Sequence, residues 1–314
     1  MKIWLVGATQ MAMDYVKVLD ALQLDFIAIG RNKQNAQLFT EKTGHPIVSG
    51  GLQTYLECKP ELPTHAIVAV GVDQLTNVTR QLLHYGVKKI LIEKPGGLTL
   101  EEIQLTEKLS LELNAEVFVG YNRRFYSSAL KAKEIIAEDG GVSSFHFEFT
   151  EWSHVVEKVD KPVEIKLNWF LANSTHVVDL AFFLGGKPLN MHSLTSGKLS
   201  WHQPAIFAGA GKTDSGALFS YNANWIAPGR WAIEVMTTKH RLVFKPLEQL
   251  QIQEIGSVKQ DFVEIDDELD KQFKPGLYLQ TRNFLTNNIV EFCTLEEQLK
   301  NLETTYLTIL NIQK

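Results

Sequence analysis

Two basic side chains in this sequence stand where they could move a proton. Lys94 follows a run of apolar residues typical of a buried strand and precedes Pro95, Gly96 and Gly97. Proline favours an extended backbone in the residue before it, and the glycines permit a tight reversal, so we expect Lys94 to be held at the end of the strand. An alcohol that loses hydride also loses its hydroxyl proton, and a partly desolvated lysine can accept that proton. The stretch predicts an acid/base lysine, and the alternative is an ordinary surface lysine.

The second basic side chain is His176, in the predicted helix NSTHVVDLAFFLGG. Residues 173–175 offer N-caps for this helix, and Gly185 and Gly186 are expected to end it. His176 and Asp179 share one face of an otherwise apolar helix, so that face must meet something polar. A histidine in such a place can exchange a proton near neutral pH, and the alternative is a satisfied core histidine.

The stretch VGATQMA follows the first predicted strand and opens the first predicted helix, where a dinucleotide-binding fingerprint belongs. Gly7 takes the first glycine position and Ala12 the third, but Thr9 stands at the second. The helix N-terminus, at Gln10 and Met11, can still supply amide donors to an anion, and Thr9 could donate its hydroxyl. The alternative is an ordinary turn without a ligand.

The second predicted strand ends in AIGRN, where an acidic residue would bind the ribose 2′-hydroxyl of NAD. Instead, Gly30, Arg31, Asn32 and Lys33 offer room and positive charge for a 2′-phosphate. The sequence therefore predicts NADP in preference to NAD. The alternative is that the two basic residues merely decorate an exposed turn.

The first 120 residues alternate short strands with helices, which is typical of βαβ units and a parallel sheet. The predicted strands are KIWLV, DFIAI, PIV, HAIVAV, KKILI and EVFVG. Ligands of such sheets bind outside the carboxyl ends of the strands, where Gly7, Lys94, Val70 and Gly71 all fall. A capping box at Thr99 is expected to start the helix after the Lys94 turn.

From about residue 141 the pattern changes to period two, as in GVSSFHFEFTEW, and later runs predict antiparallel strands. Two helices, near 276–291 and 295–311, close the chain. The predicted fold is α/β: residues 1–121 form a Rossmann domain with a doubly wound parallel sheet. Residues 122–314 form an α+β domain with an open-faced, largely antiparallel sheet, and the C-terminal helices could pack back on the first domain.

The composition is that of a globular protein, with 314 residues, 45% of them hydrophobic and 21% charged. A net charge of -5 without a basic run argues against nucleic acid as a partner. Cys58 and Cys293 form no metal motif and no disulfide scaffold, and the first residues are too short an apolar run for a signal or a membrane span. We expect a soluble cytoplasmic protein that binds no metal and no membrane.

The sequence resembles the glucose-fructose oxidoreductase and inositol dehydrogenase family over essentially the full chain. The stretches that carry the resemblance are EKPGGLTLEE after the fifth strand, GYNRRF after the sixth and the helix HVVDLAFFLGG. The resemblance is most specific at Glu93, Lys94 and Pro95. It implies a Rossmann domain and a substrate domain whose open sheet packs in a homo-oligomer, a dimer or tetramer. It also implies hydride exchange between a nicotinamide and a hydroxyl or carbonyl carbon of a sugar, sugar nucleotide or cyclitol.

By this resemblance Lys94 binds the reacting oxygen and helps to move its proton, with His176 as its catalytic partner. Asp179 matches an acid that commonly follows the histidine and could orient the imidazole. A second family carboxylate lies four residues before the histidine, where this chain has Ala172. The residues that could stand in for it are Asn173, Asn168 and Glu151; otherwise the chemistry rests on Lys94 and His176 alone.

The resemblance also implies that one of Arg123 and Arg124 contacts the cofactor or the substrate, while the other pairs on the surface. Arg123 and Glu93 are the candidate cofactor residues, and Arg124 is the candidate substrate residue. Near the start of the second domain the sequence combines aromatic rings with hydrogen-bonding groups, which suits a carbohydrate and equally suits a half-exposed sheet edge. These candidate substrate residues are Trp152, His154, Asn168 and Trp169.

Two other functions stay open. Thr9 and Ala172 favour a catalytically inactive dinucleotide-binding sensor or regulatory protein of the same fold, whereas Lys94 and His176 oppose it. The third alternative is an oxidoreductase of the same fold that reduces a non-sugar carbonyl or an alkene.

Overall fold

Residues 1–312 are described by the computed structural model, and they fall into two units, each built around one sheet. The first unit comprises Met1–Asn122 and Leu269–Leu299, and the second comprises Arg123–Glu268 with the residues from Lys300 onward. The described residues include no helix that is both long and apolar enough to cross a membrane.

The sheet of the first unit is a doubly wound parallel sheet, as predicted. Its strands are β1 (Ile3–Val6), β2 (Phe26–Ile29), β3 (Ile47–Val48), β4 (His65–Val68), β5 (Lys89–Glu93), β6 (Glu116–Gly120) and β15 (Cys293–Thr294). Their order is β15-β6-β5-β4-β1-β2-β3, with β1 to β6 parallel and β15 antiparallel to β6. The strand order reverses between β1 and β4, so a crevice opens there at the carboxyl ends.

Helices connect these strands, and the helix after Lys94 begins just after Thr99, as the sequence predicts. They are α1 (Gln10–Ala21), α2 (Lys33–Thr43), α3 (Gly51–Glu57), α4 (Leu75–Tyr85) and α5 (Leu100–Glu112), followed late in the chain by α10 (Glu268–Gln272), α11 (Leu277–Leu285) and α12 (Leu295–Asn301). The predicted capping box is present, because Thr99 Oγ1 accepts from the Glu102 amide at 3.2 Å and the Glu102 carboxylate accepts from the Thr99 amide at 3.3 Å. The helix predicted near 276–291 ends earlier, at Leu285, and two residues later Asn287 has a left-handed φ of 60°.

The sheet of the second unit has eight strands in the order β14-β13-β12-β11-β7-β10-β9-β8. They are β7 (Ser144–Glu148), β8 (Pro188–Ser196), β9 (Ile206–Thr213), β10 (Leu218–Asn224), β11 (Ala232–Met236), β12 (His240–Phe244), β13 (Gln251–Glu254) and β14 (Asp261–Phe262). β7 and β10 run parallel, and the other neighbouring pairs are antiparallel, so the predicted largely antiparallel sheet is confirmed.

Helices cover one face of this second sheet. They are α6 (Ser127–Glu138), α7 (Ser153–Val156), α8 (Val163–Leu167), α9 (Thr175–Gly185) and α13 (Leu307–Ile309), with π-helical turns at Phe170–Ser174 and Leu302–Tyr306 and a 3₁₀ turn at Asn122–Phe125. A further 3₁₀ turn, at Val72–Gln74, precedes α4 in the first unit. Phe145, Phe147 and Phe149 are buried on one side of the chain, as the alternation predicts. Phe182 of α9 packs edge-on against Phe145, with ring centroids 5.7 Å apart.

The expected start of α9 is wrong in one respect. None of the residues 173–175 caps the helix with its side chain, because the π-helical turn runs directly into α9. The Ser174 hydroxyl instead donates to the Glu151 carboxylate at 2.7 Å, and Thr175 Oγ1 donates to the Leu171 carbonyl oxygen at 2.9 Å. The expected end is correct, since the helix stops at Gly186, which has a φ of 99°.

Candidate functional site

The turn between β1 and α1 requires a glycine. Gly7 has a φ of 139°, and a Cβ atom at this position would lie 2.2 Å from the carbonyl oxygen of Ala69. The Gly7 amide also donates to the Ile29 carbonyl oxygen at 2.8 Å. The end of β1 therefore lies directly against the chain that leaves β4, and its backbone is bare at the point where a dinucleotide would approach.

Thr9 closes this turn. Its hydroxyl donates to the Ala69 carbonyl oxygen at 2.8 Å and accepts from the Ala12 amide at 3.2 Å, which caps α1. A hydroxyl has a single proton, so in this arrangement the proton goes to the backbone and not to the anion that the sequence analysis assigned to it. The amides of Gln10 and Met11 lie in the first turn of α1 and have no intrahelical acceptor, so they remain the donors that this turn offers.

A cavity of about 320 Å³ opens beside this turn, at the ends of β1, β2 and β4. The predicted cofactor residues that line it are Gly7, Thr9, Arg31, Asn32, Val70 and Gly71. Gly30 is buried behind the lining, where a Cβ atom would lie 2.8 Å from Cδ1 of Ile47. The side chain of Gln10 is exposed and donates to Asp14 at 3.1 Å.

The cavity carries positive charge at the end of β2. Among the described residues that line it, Arg31 is the sole charged side chain. Its guanidinium donates to Oε1 of Gln74 at 3.4 Å, across the end of β1. Asn32 Oδ1 caps α2 by accepting from the amides of Gln34 and Asn35 at 2.8 and 3.2 Å. Lys33, which the sequence analysis grouped with Arg31, lies outside the lining.

Several lining residues were not found from the sequence. They are Gly50, Gly51, Gln53, Gln74 and Gln81. Gly50 and Gly51 were detectable as a pair of adjacent glycines, which is typical of a turn. Both adopt positive φ angles, 108° and 89°, after β3. The glutamines carried no such signal, since a polar residue in or beside a helix has no distinctive pattern.

The strand that carries Lys94 ends in a buried polar contact. The Tyr15 hydroxyl donates to the Glu93 carboxylate at 2.8 Å. Burial raises the pKa of the Glu93 carboxyl, and the Tyr15 hydrogen bond and the Lys94 charge lower it in part. The Gln280 side chain is fully buried, and within the described chain its amide has no hydrogen-bond partner. Both Gln280 Nε2 and the Glu93 carboxylate lie beside Gly120, since a Cβ atom at Gly120 would be 3.3 Å from each.

Three hydrogen bonds fix the backbone after Lys94. The Lys94–Pro95 peptide is cis, and the Gly96 amide donates to the Glu93 carbonyl oxygen at 3.0 Å. Gln298 of α12 donates to the Pro95 carbonyl oxygen at 2.8 Å, and the Glu102 carboxylate of α5 accepts from the Leu98 amide at 2.9 Å. Lys94 itself is half-buried, so its side chain stands on a fixed backbone at the carboxyl end of β5.

In the second unit, His176 is buried on α9 and its ring centroid lies 6.3 Å from that of Trp231. One turn further along, Asp179 accepts from Nε and Nη2 of Arg124 at 2.9 and 2.6 Å. Both members of this pair are buried. Arg124, predicted to contact the substrate, is therefore used to neutralise a buried carboxylate.

Glu151 is a buried carboxyl group beside the π-helical turn that precedes His176. It accepts from Asn173 Nδ2 at 3.0 Å and from the Ser174 hydroxyl at 2.7 Å, and an Nη of Arg230 lies 3.7 Å away. Burial raises the pKa of Glu151, and these three partners oppose the shift. Of the three residues that could replace the carboxylate missing at Ala172, Glu151 supplies an acid next to the same turn.

Two arginines and two tryptophans form what we term the arginine–tryptophan cluster: Arg123, Trp152, Arg230 and Trp231. The guanidinium carbons of Arg123 and Arg230 lie 4.9 and 4.5 Å from the Trp231 ring centroid. Arg230 also lies 4.6 Å from the centroid of the Trp152 ring. Arg123, which the sequence analysis assigned to the cofactor, is thus placed beside the ring that contacts His176.

The other predicted substrate residues lie elsewhere in the second unit. His154 is exposed on α7, and Asn168 Nδ2 donates to the Glu164 carbonyl oxygen at 2.9 Å. In the described part of the chain neither makes a hydrogen bond or ring contact with the cluster. Trp169 packs edge-on against Trp201, with centroids 6.2 Å apart. No group of three or more His, Cys, Asp or Glu side chains in residues 1–312 is placed to hold a metal ion.

No protein-family model and no curated protein matches the chain. Solved structures match it over nearly its whole length. UDP-N-acetylglucosamine 3-dehydrogenase from Acidithiobacillus ferrooxidans is 14% identical, with a TM-score of 0.76 over 99% of this chain and 98% of that one. An oxidoreductase from Agrobacterium radiobacter, solved with NAD⁺, L-tartaric acid and magnesium, is 12% identical, with a TM-score of 0.80 over 100% and 97%.

A levoglucosan dehydrogenase solved with NADH and levoglucosan is 14% identical, with a TM-score of 0.79 over 99% of this chain and 97% of that one. The chain therefore has the fold of nicotinamide-dependent oxidoreductases built from a Rossmann sheet and a second, largely antiparallel sheet. The resemblance noted from the sequence is confirmed at the level of the fold.

The raised pKa of Glu151 predicts a pH dependence of stability. The folded chain holds this proton more tightly than the unfolded chain, whose glutamate pKa is about 4.3. The stabilising contribution of the protonated carboxyl is complete below that value and is lost as the pH rises through the folded-state pKa. Glu151→Gln keeps the size and an oxygen acceptor but does not titrate. In urea unfolding at a series of pH values, the variant should gain stability relative to wild type as the pH rises; parallel curves would contradict this.

Proposed function

We propose that the chain is an NAD(P)-dependent oxidoreductase that transfers hydride between a nicotinamide and a hydroxyl or carbonyl carbon of a sugar, sugar nucleotide or cyclitol. The observation that carries the proposal is Lys94, held at the carboxyl end of β5 in the sheet whose switch point carries the Gly7 turn. The solved UDP-N-acetylglucosamine 3-dehydrogenase and the levoglucosan dehydrogenase with NADH support it as proteins of the same fold.

The residues present fit a dinucleotide. The cavity of about 320 Å³ lies within the range of ligand pockets, and Gly7 leaves the backbone bare beside it. The amides of Gln10 and Met11 would hold the pyrophosphate, and Val70 and Gly71 would lie along the cofactor. When bound, the nicotinamide accepts or supplies the hydride.

In this proposal Lys94 handles the proton that accompanies each hydride. In the oxidation direction the hydroxyl carbon gives up hydride, the C–O bond becomes a carbonyl, and the Lys94 amine accepts the hydroxyl proton. In the reduction direction the Lys94 ammonium donates that proton to the carbonyl oxygen as hydride arrives at carbon. His176 assists this transfer. Glu151, which lies beside the π-helical turn before His176, supplies a carboxyl group in place of the one that the family has at the position of Ala172.

The cofactor preference is proposed to be NADP over NAD. Arg31 supplies a guanidinium at the end of β2, where a 2′-phosphate would lie, and the described lining contains no carboxylate to bind a ribose 2′-hydroxyl. The contact between Arg31 and Gln74 is long, at 3.4 Å, so the guanidinium is available for a stronger charge-assisted partner.

The chain is also proposed to form a homo-oligomer through the sheet of the second unit. Leu189, Leu194 and Leu218 lie on β8 and β10 with 68%, 76% and 61% of their surfaces exposed. Leu194 pairs with Ala208, which pairs with Asn222, so an uncharged row crosses three strands. A second copy of the same sheet would cover this face.

Replacement of Lys94 tests the proposed chemistry. Lys94→Ala should lower turnover by roughly 10²–10⁴-fold, because the proton then has no carrier, while the Kd for NADPH changes little. Cofactor fluorescence measures both quantities, on the sugar that best oxidises or reduces the cofactor in a screen. Lys89→Ala is the matched control, since Lys89 lies on the same strand and pairs with Glu116 at 3.4 Å. Full turnover in Lys94→Ala would defeat the proposal.

Replacement of Arg31 tests the cofactor preference. Wild type should bind NADPH more tightly than NADH, and Arg31→Ala should weaken NADPH binding by roughly ten-fold or more, with NADH nearly unaffected. Titration followed by fluorescence gives the four dissociation constants. Lys33→Ala, one residue away but outside the cavity lining, should retain the preference. A wild-type preference for NADH would refute the assignment.

Replacement of Leu194 tests self-association. Leu194→Lys places a charge in this uncharged row, on the edge strand β8, so it should shift the chain toward the monomer. Light scattering during size-exclusion chromatography reports the mass, and Val258→Lys, at a residue 97% exposed outside the strands, is the control. A wild-type monomer, or an unchanged mass in Leu194→Lys, would rule out this interface.

A further inference from the structure

We propose that the arginine–tryptophan cluster binds an anionic group of the substrate, a carboxylate or a phosphate. This inference rests on the proposed function and narrows its substrate class from sugars in general to sugars that carry such a group.

The first observation is an excess of positive charge. Arg123 and Arg230 both lie over the Trp231 ring, and among the described residues Arg123 has no carboxylate at ion-pair distance. The carboxylate nearest to Arg230 is Glu151, at 3.7 Å, and its other oxygen is already used by Asn173 and Ser174. Glu248 and Glu151 both act on Arg123 through space. Glu248 is exposed, so solvent and salt screen it, and the single charge of Glu151 is shared with Arg230, so two arginines face one buried carboxylate.

The second observation is a pair of buried donors. Nε of Arg123 and Nε1 of Trp231 are buried, and in residues 1–312 neither has a hydrogen-bond acceptor. Both atoms carry a proton and cannot accept, so only an acceptor can satisfy them. Burial lowers the pKa of Arg123, and the charge of Arg230 adds to that shift. A bound anion would accept from both donors and offset the two positive charges. A neutral acceptor would do only the first, and a cation would do neither.

The third observation is access. Trp152 is 48% exposed and the Arg230 side chain is 43% exposed, so the cluster opens to solvent on one side. On its inner side the Trp231 ring lies 6.3 Å from that of His176. An anion between the arginines would therefore lie within the length of one sugar from the histidine proposed to act in the reaction. The cluster would select substrates by charge and orient the sugar ring, which the Trp152 face can cover.

Small anions test the inference without knowledge of the sugar. The full-length chain is titrated with malonate, inorganic phosphate and the neutral analogue malonamide at constant ionic strength, and tryptophan fluorescence reports binding at Trp152 and Trp231. We expect saturable binding of malonate or phosphate in roughly the millimolar range and at least about ten-fold weaker binding of malonamide. The ratio of malonate to phosphate affinity shows whether the group is a carboxylate or a phosphate.

Two variants locate the binding. Arg230→Gln should weaken anion binding by roughly ten-fold or more, and Arg123→Lys should weaken it less, because it keeps the charge but loses the planar fork. Arg241→Gln is the control, since Arg241 is an arginine of the same sheet that pairs with Glu234. Equal affinity for malonate, phosphate and malonamide would overturn the inference. An equal loss in Arg241→Gln would also overturn it, because binding would then reflect overall charge.

The outcome is separable from that of the proposed function. Hydride transfer to a neutral sugar by a chain that binds neither anion removes the inference and leaves the oxidoreductase standing. Anion binding that depends on Arg230, in a chain that exchanges hydride with no sugar, supports the inference and removes the oxidoreductase.

Discussion

The close approach of Gly7 to the Ala69 carbonyl oxygen is the contact on which the first unit depends. A Cβ atom would lie 2.2 Å from that oxygen, so glycine alone lets the ends of β1 and β4 meet. Thr9 then bonds to the same carbonyl oxygen, and the start of α1 follows from that bond. Thr9 therefore replaces the glycine of the second fingerprint position and stabilises the turn through its side-chain bonds to the backbone. The amides of Gln10 and Met11 still have no acceptor within the helix.

Each unit keeps a glutamate in a buried place, and each glutamate adjoins a residue proposed for the chemistry. Glu93 precedes Lys94 and is held by Tyr15, whereas Glu151 lies beside the π-helical turn before His176. Burial raises the pKa of both. A buried carboxyl group costs free energy unless hydrogen bonds or charges compensate it, and both receive such partners. The buried carboxylate of Asp179 is compensated in the same way, by the charge of Arg124.

The sequence predicted what short-range patterns encode. Four predicted features each depend on residues within one element or its flanking turn: the six parallel strands of the first sheet, the Thr99 capping box, the end of α9 before Gly186 and the place of Lys94 at a strand end. The hydrogen-bond partners around Lys94 were not predictable, because Tyr15, which bonds to Glu93, and Gln298, which bonds to Pro95, come from distant segments. Ser174 shows the same limit, since its hydroxyl had a capping pattern but met the carboxylate of Glu151. Arg123 and Arg230 are brought to one ring only by the tertiary fold.

The contact between Gln298 and Pro95 can form only late in the synthesis of residues 1–312. Its side chain reaches the Pro95 carbonyl oxygen from 203 residues further along the chain, and β15 and α11 belong to the same unit. When the ribosome has released residues 1–122, that unit still lacks α11 and its last strand, β15. The turn beside Lys94 therefore gains its contact with Gln298 only after every strand of the second sheet has been synthesised.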